Sequence, residues 1–337
     1  MVRESQTRVV IIGTGIMARI YAEIISDIDN VELVVAVGNS EKNSVKFSED
    51  FDIPVIANMQ VARALDEFNI DFSIVTTPEW VRLVPLKLLV EKHVPILLEK
   101  PFCSSHADAL QLCKILETGH QYFEVCHVLR SNPRFQALTN LITKGEIGRV
   151  KNIYARRNSN SVRVERVLGK FPLTFWLLPH DLDIALRIVP ERVVSVFCQN
   201  TSSEYSKSDC LTCFLKTESG ATITIENSWV TPPISNLNKA TIFEVSGTEG
   251  RVELTDDEMN VKLFRPDSVV IQPDTNEHYF LDGKNAGYFA NFLTSQLKLY
   301  KGQTARERQE IINHCMALTE ICQALEESRV KGAVIDL

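Results

Sequence analysis

Gly13-Thr14-Gly15-Ile16-Met17-Ala18 fits the pattern G-x-G-x-x-[G/A], directly after the β-branched run Arg8–Ile12. Directly behind it, Met17, Ile20, Tyr21, Ile24 and Ile25 recur at helical spacing. Strand, glycine turn and helix in that order are what phosphate binding requires. The first glycine permits a tight turn, the second lets the backbone approach a pyrophosphate, and the small third residue lets helix pack on strand. The helix N-terminus then turns its unpaired N–H groups toward the phosphates. Gly13, Thr14, Gly15, Ile16 and Met17 are therefore candidates for holding a dinucleotide. About twenty residues on, a carboxylate at the end of the second strand would hold a ribose 2′-hydroxyl and repel a 2′-phosphate. The chain instead reads Val37-Gly38-Asn39-Ser40-Glu41-Lys42. Asn39 and Ser40, with Lys42 nearby, leave room for NADP. Asn39 could equally bond an unphosphorylated ribose and Glu41 could reach in, so NAD stays open and the balance leans slightly to NADP.

Two other groups invite chemistry. Lys100 follows the apolar run Pro95–Leu98, at the carboxyl end of an expected parallel strand, where ligands of such sheets bind. Cys210-x-x-Cys213 is half a metal site, but no second pair with ligand spacing accompanies it, and on a strand the two thiols point to opposite faces. No metal is expected.

The elements that must position these residues follow from periodicity. Strand-like runs at Arg8–Ile12, Val31–Val37, Val55–Ala57, Phe72–Thr76 and Pro95–Leu98 alternate with helical stretches, which argues for a doubly wound parallel sheet. Pro85 falls inside the helical stretch Val81–Lys92 and predicts a kink or a late start there. After Leu129 the rhythm changes. A helix at Phe135–Thr143, a strand at Val150–Arg156 and a helix at His180–Arg187 precede several alternating runs between Val193 and Phe264. Turn chemistry at Glu218–Gly220 and Thr248–Gly250 joins neighbouring runs. Helical patterns at Tyr288–Tyr300 and Arg306–Ser328 close the chain. The fold class is thus an α/β nucleotide-binding domain, residues 1–128, and an α+β domain, residues 129–337, with a large, mainly antiparallel open sheet.

Composition excludes whole classes of function. The chain has 337 residues, 45% of them apolar and 23% charged, and a net charge of −7, so it offers no basic field for a nucleic acid. No run is long and apolar enough to suggest a membrane span. The N-terminus enters a strand-like run with no signal-peptide h-region, and the eight scattered cysteines read as free thiols. A cytoplasmic protein with neither nucleic-acid nor membrane partners is expected.

The run into Glu99-Lys100-Pro101 resembles a hallmark of the glucose-fructose oxidoreductase/inositol dehydrogenase (Gfo/Idh/MocA) family, and the resemblance covers essentially the whole chain. Thr76-Thr77-Pro78 stands at that family's fourth-strand cofactor turn. His127-Val128-Leu129-Arg130-Ser131-Asn132-Pro133 is similar to its domain-crossing segment. Gly145–Gly148 and Gly247–Gly250 are similar to turns of its second domain, and His180-Asp181-Leu182-Asp183 matches a histidine followed by x-x-Asp on a helix facing the nicotinamide. The resemblance implies a Rossmann domain with Thr76, Thr77, Pro78, Glu99 and Lys100 on the cofactor, Glu99 orienting either the loop or the nicotinamide side. It implies His180 as general acid or base, a role suited to a pKa near neutrality. It implies that Lys100 donates to the reacting oxygen and stabilises its negative charge. Pro101 would fix the turn aiming Lys100, with a cis Lys100–Pro101 bond plausible. His127, Arg130, Asn158, Trp176 and Asp183 join Lys100 and His180 as substrate-binding candidates, although Arg130 and Asn158 fit ordinary structural bonds as well. Many members carry an aspartate four positions before the histidine. Here that residue is Trp176, whose indole could stack on a sugar ring and is as readily a core residue.

The function so implied is NAD(P)-dependent hydride transfer to or from a secondary alcohol or ketone of a sugar, nucleotide-sugar or polyol. A homodimer or homotetramer through the second domain's sheet is implied by the same likeness. The substitution at Trp176 keeps a second function open, a nucleotide-dependent sensor or regulator of the same fold that has lost turnover. Reduction of an imine or a non-sugar carbonyl is a third.

Overall fold

The computed structural model describes residues 6–160, 172–201, 210–231, 239–255, 262–264, 269–271 and 279–337. The chain divides into two compact units. The first contains residues 1–127 and returns for 280–317; the second contains 128–279 and 318–337.

In the first unit, β1 (Thr7–Ile12), α1 (Ile16–Ser26), β2 (Val31–Val37), α2 (Glu41–Phe51), β3 (Val55–Ile56), α3 (Val61–Glu67), β4 (Phe72–Val75), α4 (Leu83–Glu91), β5 (Ile96–Leu98), α5 (His106–Glu117) and β6 (Phe123–Val125) alternate. The six strands form one sheet in the order β3-β2-β1-β4-β5-β6, every pair parallel. Strands of such a sheet are buried on both faces, which is why they read as nearly unbroken apolar runs. Val10, Ile12, Val35, Val37, Val75, Ile96 and Leu98 accordingly share one core with Leu86, Leu89, Leu112 and Leu116 of the helices. The order reverses between β1 and β4, and ligands of open α/β sheets bind at the carboxyl ends of strands flanking such a point. Pro85 is the third residue of α4, where its missing N–H would have had no helical partner in any case.

The second unit holds α6 (Pro133–Thr143), β7 (Val150–Asn160), α7 (Leu173–Trp176), α8 (Leu178–Ile188), β8 (Val193–Thr201), β9 (Cys210–Thr217), β10 (Thr222–Thr231), β11 (Lys239–Gly247) and β12 (Arg251–Thr255). Short strands follow at β13 (Lys262–Phe264), β14 (Val269–Ile271), β15 (Tyr279–Leu281) and β16 (Lys284–Ala286). The helices α9 (Tyr288–Leu299) and α10 (Ala305–Lys331) and the strand β17 (Ile335–Asp336) end the chain. The large sheet runs β12-β11-β7-β10-β9-β8-β17 and is antiparallel except between β7 and β10. Residue alternation along β7 is clean. Ile153, Ala155 and Arg157 of β7 are buried, whereas Asn152, Tyr154, Arg156 and Asn158 face the other way and are partly exposed.

A single cut at 128/129 does not describe this division. Residues 280–317 rejoin the first unit because they make its last hydrogen bonds. The Gln303 amide accepts from the Phe123 N–H and donates to the Phe123 carbonyl, both at 3.0 Å, on the edge strand β6. Tyr122 donates to Gln296 at 2.6 Å, and the buried Arg308 donates to the carbonyls of Gln121 and Leu116. An open sheet edge is thereby covered. Helix α10 belongs to the first unit up to Ala317 and to the second from Leu318.

Candidate active site

The sheet of the first unit delivers its candidates side by side. The Gly13 N–H donates to the Val37 carbonyl, Thr76 N–H to Ile12, and Glu99 N–H to Val75, so the loops after β1, β4 and β5 start level with one another. Gly13 has φ +123° and lies so close to the β4 turn that a Cβ there would stand 2.3 Å from Thr76 Oγ1 and 3.1 Å from Thr76 C. At Gly15 a Cβ would meet nothing within 4 Å. Gly15 is also the N-cap of α1, and no side chain caps that helix end. Thr77 Oγ1 is buried without a hydrogen-bond partner beside this opening in the sequence of strand ends. An open glycine, uncapped helical N–H groups and a waiting hydroxyl fit the pyrophosphate side of a dinucleotide. Thr14 is buried, Ile16 is 56% exposed, and Asn39, Ser40 and Lys42 are exposed beyond β2. Pro78 is exposed.

Behind these loops lies a buried polar network. Tyr21 of α1 donates to Glu99 Oε1 at 2.8 Å, and both residues are buried. Burial pushes the Glu99 carboxyl up from its ordinary pKa, against Lys100, Tyr21 and Arg82, which favour its charged form. The same burial, with Cys126 and Glu99 adjacent, holds Tyr21 well above the usual phenol range. Glu99 thus turns its carboxylate toward α1 and braces the helix behind the glycine turn. Arg82 is 1% exposed. Its Nε and Nη2 each donate to the Thr77 carbonyl at 3.1 Å, and Nη1 donates to the carbonyls of Phe102, at 3.2 Å, and of Pro101. The Lys100–Pro101 peptide is cis, and Lys100 itself is partly exposed.

In the second unit, His180 is the third residue of α8 and is partly exposed, one turn after the partly exposed Trp176 that ends α7. The acids on either side of Leu182 are fully engaged. Arg157 Nε lies 3.0 Å from both oxygens of Asp181, and its Nη2 lies 2.7 Å from Oδ1. Asn227 adds a donor at 3.2 Å, and Arg157 also reaches Thr241 at 3.4 Å. Asn227, Arg157 and Thr241 are register partners across β10, β7 and β11, so one row of the sheet grips the first turn of α8. Asp183, 1% exposed as a side chain, takes the Arg130 guanidinium in a fork at 3.0 and 2.5 Å. Fork geometry between guanidinium and carboxylate fixes orientation as well as energy.

The remaining candidates have the following surroundings. Asn158 faces away from α8 and accepts from Ser228 Oγ at 2.8 Å; strand alternation puts Arg157 on the face toward the helix in its place. Asp183 and Arg130 hold one another, the structural ion pair that the sequence left open for Arg130. His127 is 4% exposed and meets His314 edge-on, ring centroids 6.3 Å apart, so its ring belongs to the interior of the first unit. Cys210 is partly exposed and Cys213 buried on the opposite face, 3.5 Å from the thiol of Cys198. Tyr21, Arg82, Arg157 and Asp181 were not singled out by sequence. The available signals were an arginine opening the apolar stretch Trp80–Leu89 and an acid adjoining His180.

Comparison with known proteins identifies the family and the fold. Residues 7–127 match the model of the GFO_IDH_MocA oxidoreductase family with its NAD-binding Rossmann fold, and residues 135–253 match the GFO/IDH/MocA C-terminal domain. The chain is 20% identical over 306 residues, 89% of its length and 86% of the relative's, to inositol 2-dehydrogenase 1 of Saccharopolyspora erythraea. Among solved structures it is similar to scyllo-inositol dehydrogenase of Lactobacillus casei with bound NAD(H) and scyllo-inositol. That match has a TM-score of 0.82 and 13% identity and covers 98% of this chain and 99% of the other. It is also similar to a probable dehydrogenase of Thermotoga maritima, with a TM-score of 0.80 and 20% identity, covering 98% of each chain. Among the described residues, no helix is long and apolar enough to cross a membrane.

Proposed function

The chain belongs to the Gfo/Idh/MocA family of oxidoreductases, and on that premise we propose that it is an NAD(P)-dependent dehydrogenase or reductase of a secondary alcohol or ketone on a sugar, nucleotide-sugar or polyol. The observation that carries this reading is that one sheet presents, at the carboxyl ends of β1 and β5 on either side of β4, the unobstructed Gly15 at a helix N-terminus and the partly exposed Lys100. A bound nicotinamide would supply the hydride donor or acceptor. Gly13, Thr14, Gly15, Ile16 and Met17 bind the pyrophosphate side, with Thr76, Thr77 and Pro78 along the neighbouring strand end. Asn39 and Ser40 present no carboxylate to a 2′-phosphate, and Lys42 is close in sequence, so NADP is accommodated alongside NAD. Lys100 donates to the substrate oxygen and stabilises the charge that develops there. His180, held by the Arg157 and Arg130 forks on its helix, takes or returns the hydroxyl proton. Trp176 offers an apolar ring to the carbohydrate. Likeness to inositol dehydrogenases favours a cyclic polyol as first substrate.

The test is steady-state turnover with NAD and NADP over a panel of inositols, sugars, nucleotide-sugars and keto acids. Oxidation of a polyol or sugar is expected. Coenzyme binding with no turnover on any member would sink the enzymatic reading and leave the sensor, which the replacement of the family aspartate by Trp176 favours. We further propose self-association through the outer face of the large sheet, where Phe214 is 48% exposed and stacks on Phe197 at 6.4 Å. Light scattering on wild type and Phe214→Asp reads this directly, and a monomeric wild type would reject it.

A further inference from the structure

We propose that Arg82 is a positioning residue for Lys100: its guanidinium fastens the segment that follows Lys100 to the turn after β4, and so fixes where the ammonium stands. The inference rests on the reading above that Lys100 acts on the substrate. Its own evidence is the geometry of Arg82. Arginine is almost never fully buried unless its donors are met, because stripping water from a cation is costly. Arg82 stands at the head of a helix whose buried neighbours are Pro85, Leu86, Leu89 and Val90, a place where an apolar side chain would pack without that cost. Its acceptors are main-chain oxygens from two different loops, Thr77 on one side and Pro101 and Phe102 on the other. A rigid planar fork can bridge two such loops; a lysine ammonium, a point charge on a flexible stem, cannot hold both.

Charge balance supports a resident role. Burial lowers the pKa of the Arg82 guanidinium, and the buried carboxylates of Glu79 and Glu99 oppose that and favour its charged form from within the fold. With Tyr21 bonded to Glu99, the two sides of Lys100 are tied separately, Glu99 to α1 and Pro101–Phe102 to the β4 turn. The placement of the lysine thereby becomes a property of main-chain anchoring.

Competitive amine labelling of the coenzyme-free full chain with trinitrobenzenesulfonate, read lysine by lysine in mass spectra, tests this. The internal standard is Lys87, exposed on the outer side of α4. In Arg82→Lys, which keeps the charge and loses the fork, the Lys100-to-Lys87 labelling ratio is expected to shift by about threefold, and further in Arg82→Met. A ratio equal to wild type in the Lys variant, or parallel changes at both lysines, overturns the proposal, and the Lys variant alone decides if the Met variant does not fold. Titration of the wild type with NADH and NADPH is read separately. No binding there would reject the oxidoreductase reading while the labelling ratio still reports on Arg82.

Discussion

Tyr21 donates its phenolic proton to Glu99 across 2.8 Å, joining the helix behind the glycine turn to the residue that precedes Lys100. The two lie 78 positions apart in sequence, and both are withdrawn from solvent. The helix behind β1 and the loop after β5 are therefore tied together across the intervening β4. Tyr21→Phe leaves a buried carboxylate short of one donor and should cost about 1–3 kcal/mol, seen in urea unfolding. A smaller loss would mean that other donors replace the phenol.

The raised pKa of Glu99 fixes a sign. A carboxyl that holds its proton more tightly in the folded than in the unfolded state stabilises the protein most below its unfolded pKa. That contribution is lost as pH rises through the folded pKa. Glu99→Gln cannot ionise, so its stability relative to wild type should improve as pH is raised from the ordinary carboxylate range toward neutrality. Urea midpoints across that window check this; a difference that falls with pH would contradict it.

The two glycines of the turn should separate folding from binding. Gly13→Ala combines φ +123° with a 2.3 Å approach to Thr76 Oγ1 and should destabilise the fold and weaken the coenzyme together. Gly15→Ala meets no protein atom, so its unfolding midpoint should match wild type while NADH affinity falls by about tenfold or more. Unchanged affinity in Gly15→Ala would remove the pyrophosphate from this turn.

The buried pair beneath α8 is a strong test of what holds His180. Asp181→Asn strands a guanidinium in the interior, and breaking a buried pair in this way costs about 3–5 kcal/mol. Replacing Arg157 and Asp181 together by Met and Leu should cost much less than the sum of the single changes, which a double-mutant cycle in urea measures.

For the chemistry itself, Lys100→Met and His180→Ala should each lower kcat by about a hundredfold or more with coenzyme affinity nearly unchanged. Trp176→Asp places a carboxylate one turn before His180 and should raise the pKa of its imidazole, read from its proton resonances against pH. Wild-type turnover in both of the first two variants would remove these residues from the reaction.

Much of the first sheet could be read from the chain because parallel strands buried on both faces are written as continuous apolar runs, as in Val9–Ile12 and Leu33–Val37. Helix α5 and strand β6 went unread. The three residues Phe123–Val125 carry no usable period, and the one clear start signal was Ser105, which accepts from the Asp108 N–H at 3.1 Å. The glycine turn and Lys100 could be placed at strand ends because each closely follows an apolar run. Arg157 was missed for Asn158 because its partner, Asp181, sits 24 positions away and only the pleat decides which neighbour faces it. Arg82 was missed because a buried cation is recognised by its acceptors, which the order of residues does not disclose.

The return of residues 280–317 to the first unit bears on how this protein can be recombined with its relatives. A chimera spliced once, at the end of β6, would set foreign residues against the Phe123, Gln121 and Leu116 main chain that Gln303 and Arg308 now clasp. Crossovers that respect the chain's own seams need three junctions, the last inside a helix, so the stability of the nucleotide-binding sheet is set in part by residues that follow the whole of the second domain's large sheet except its last strand.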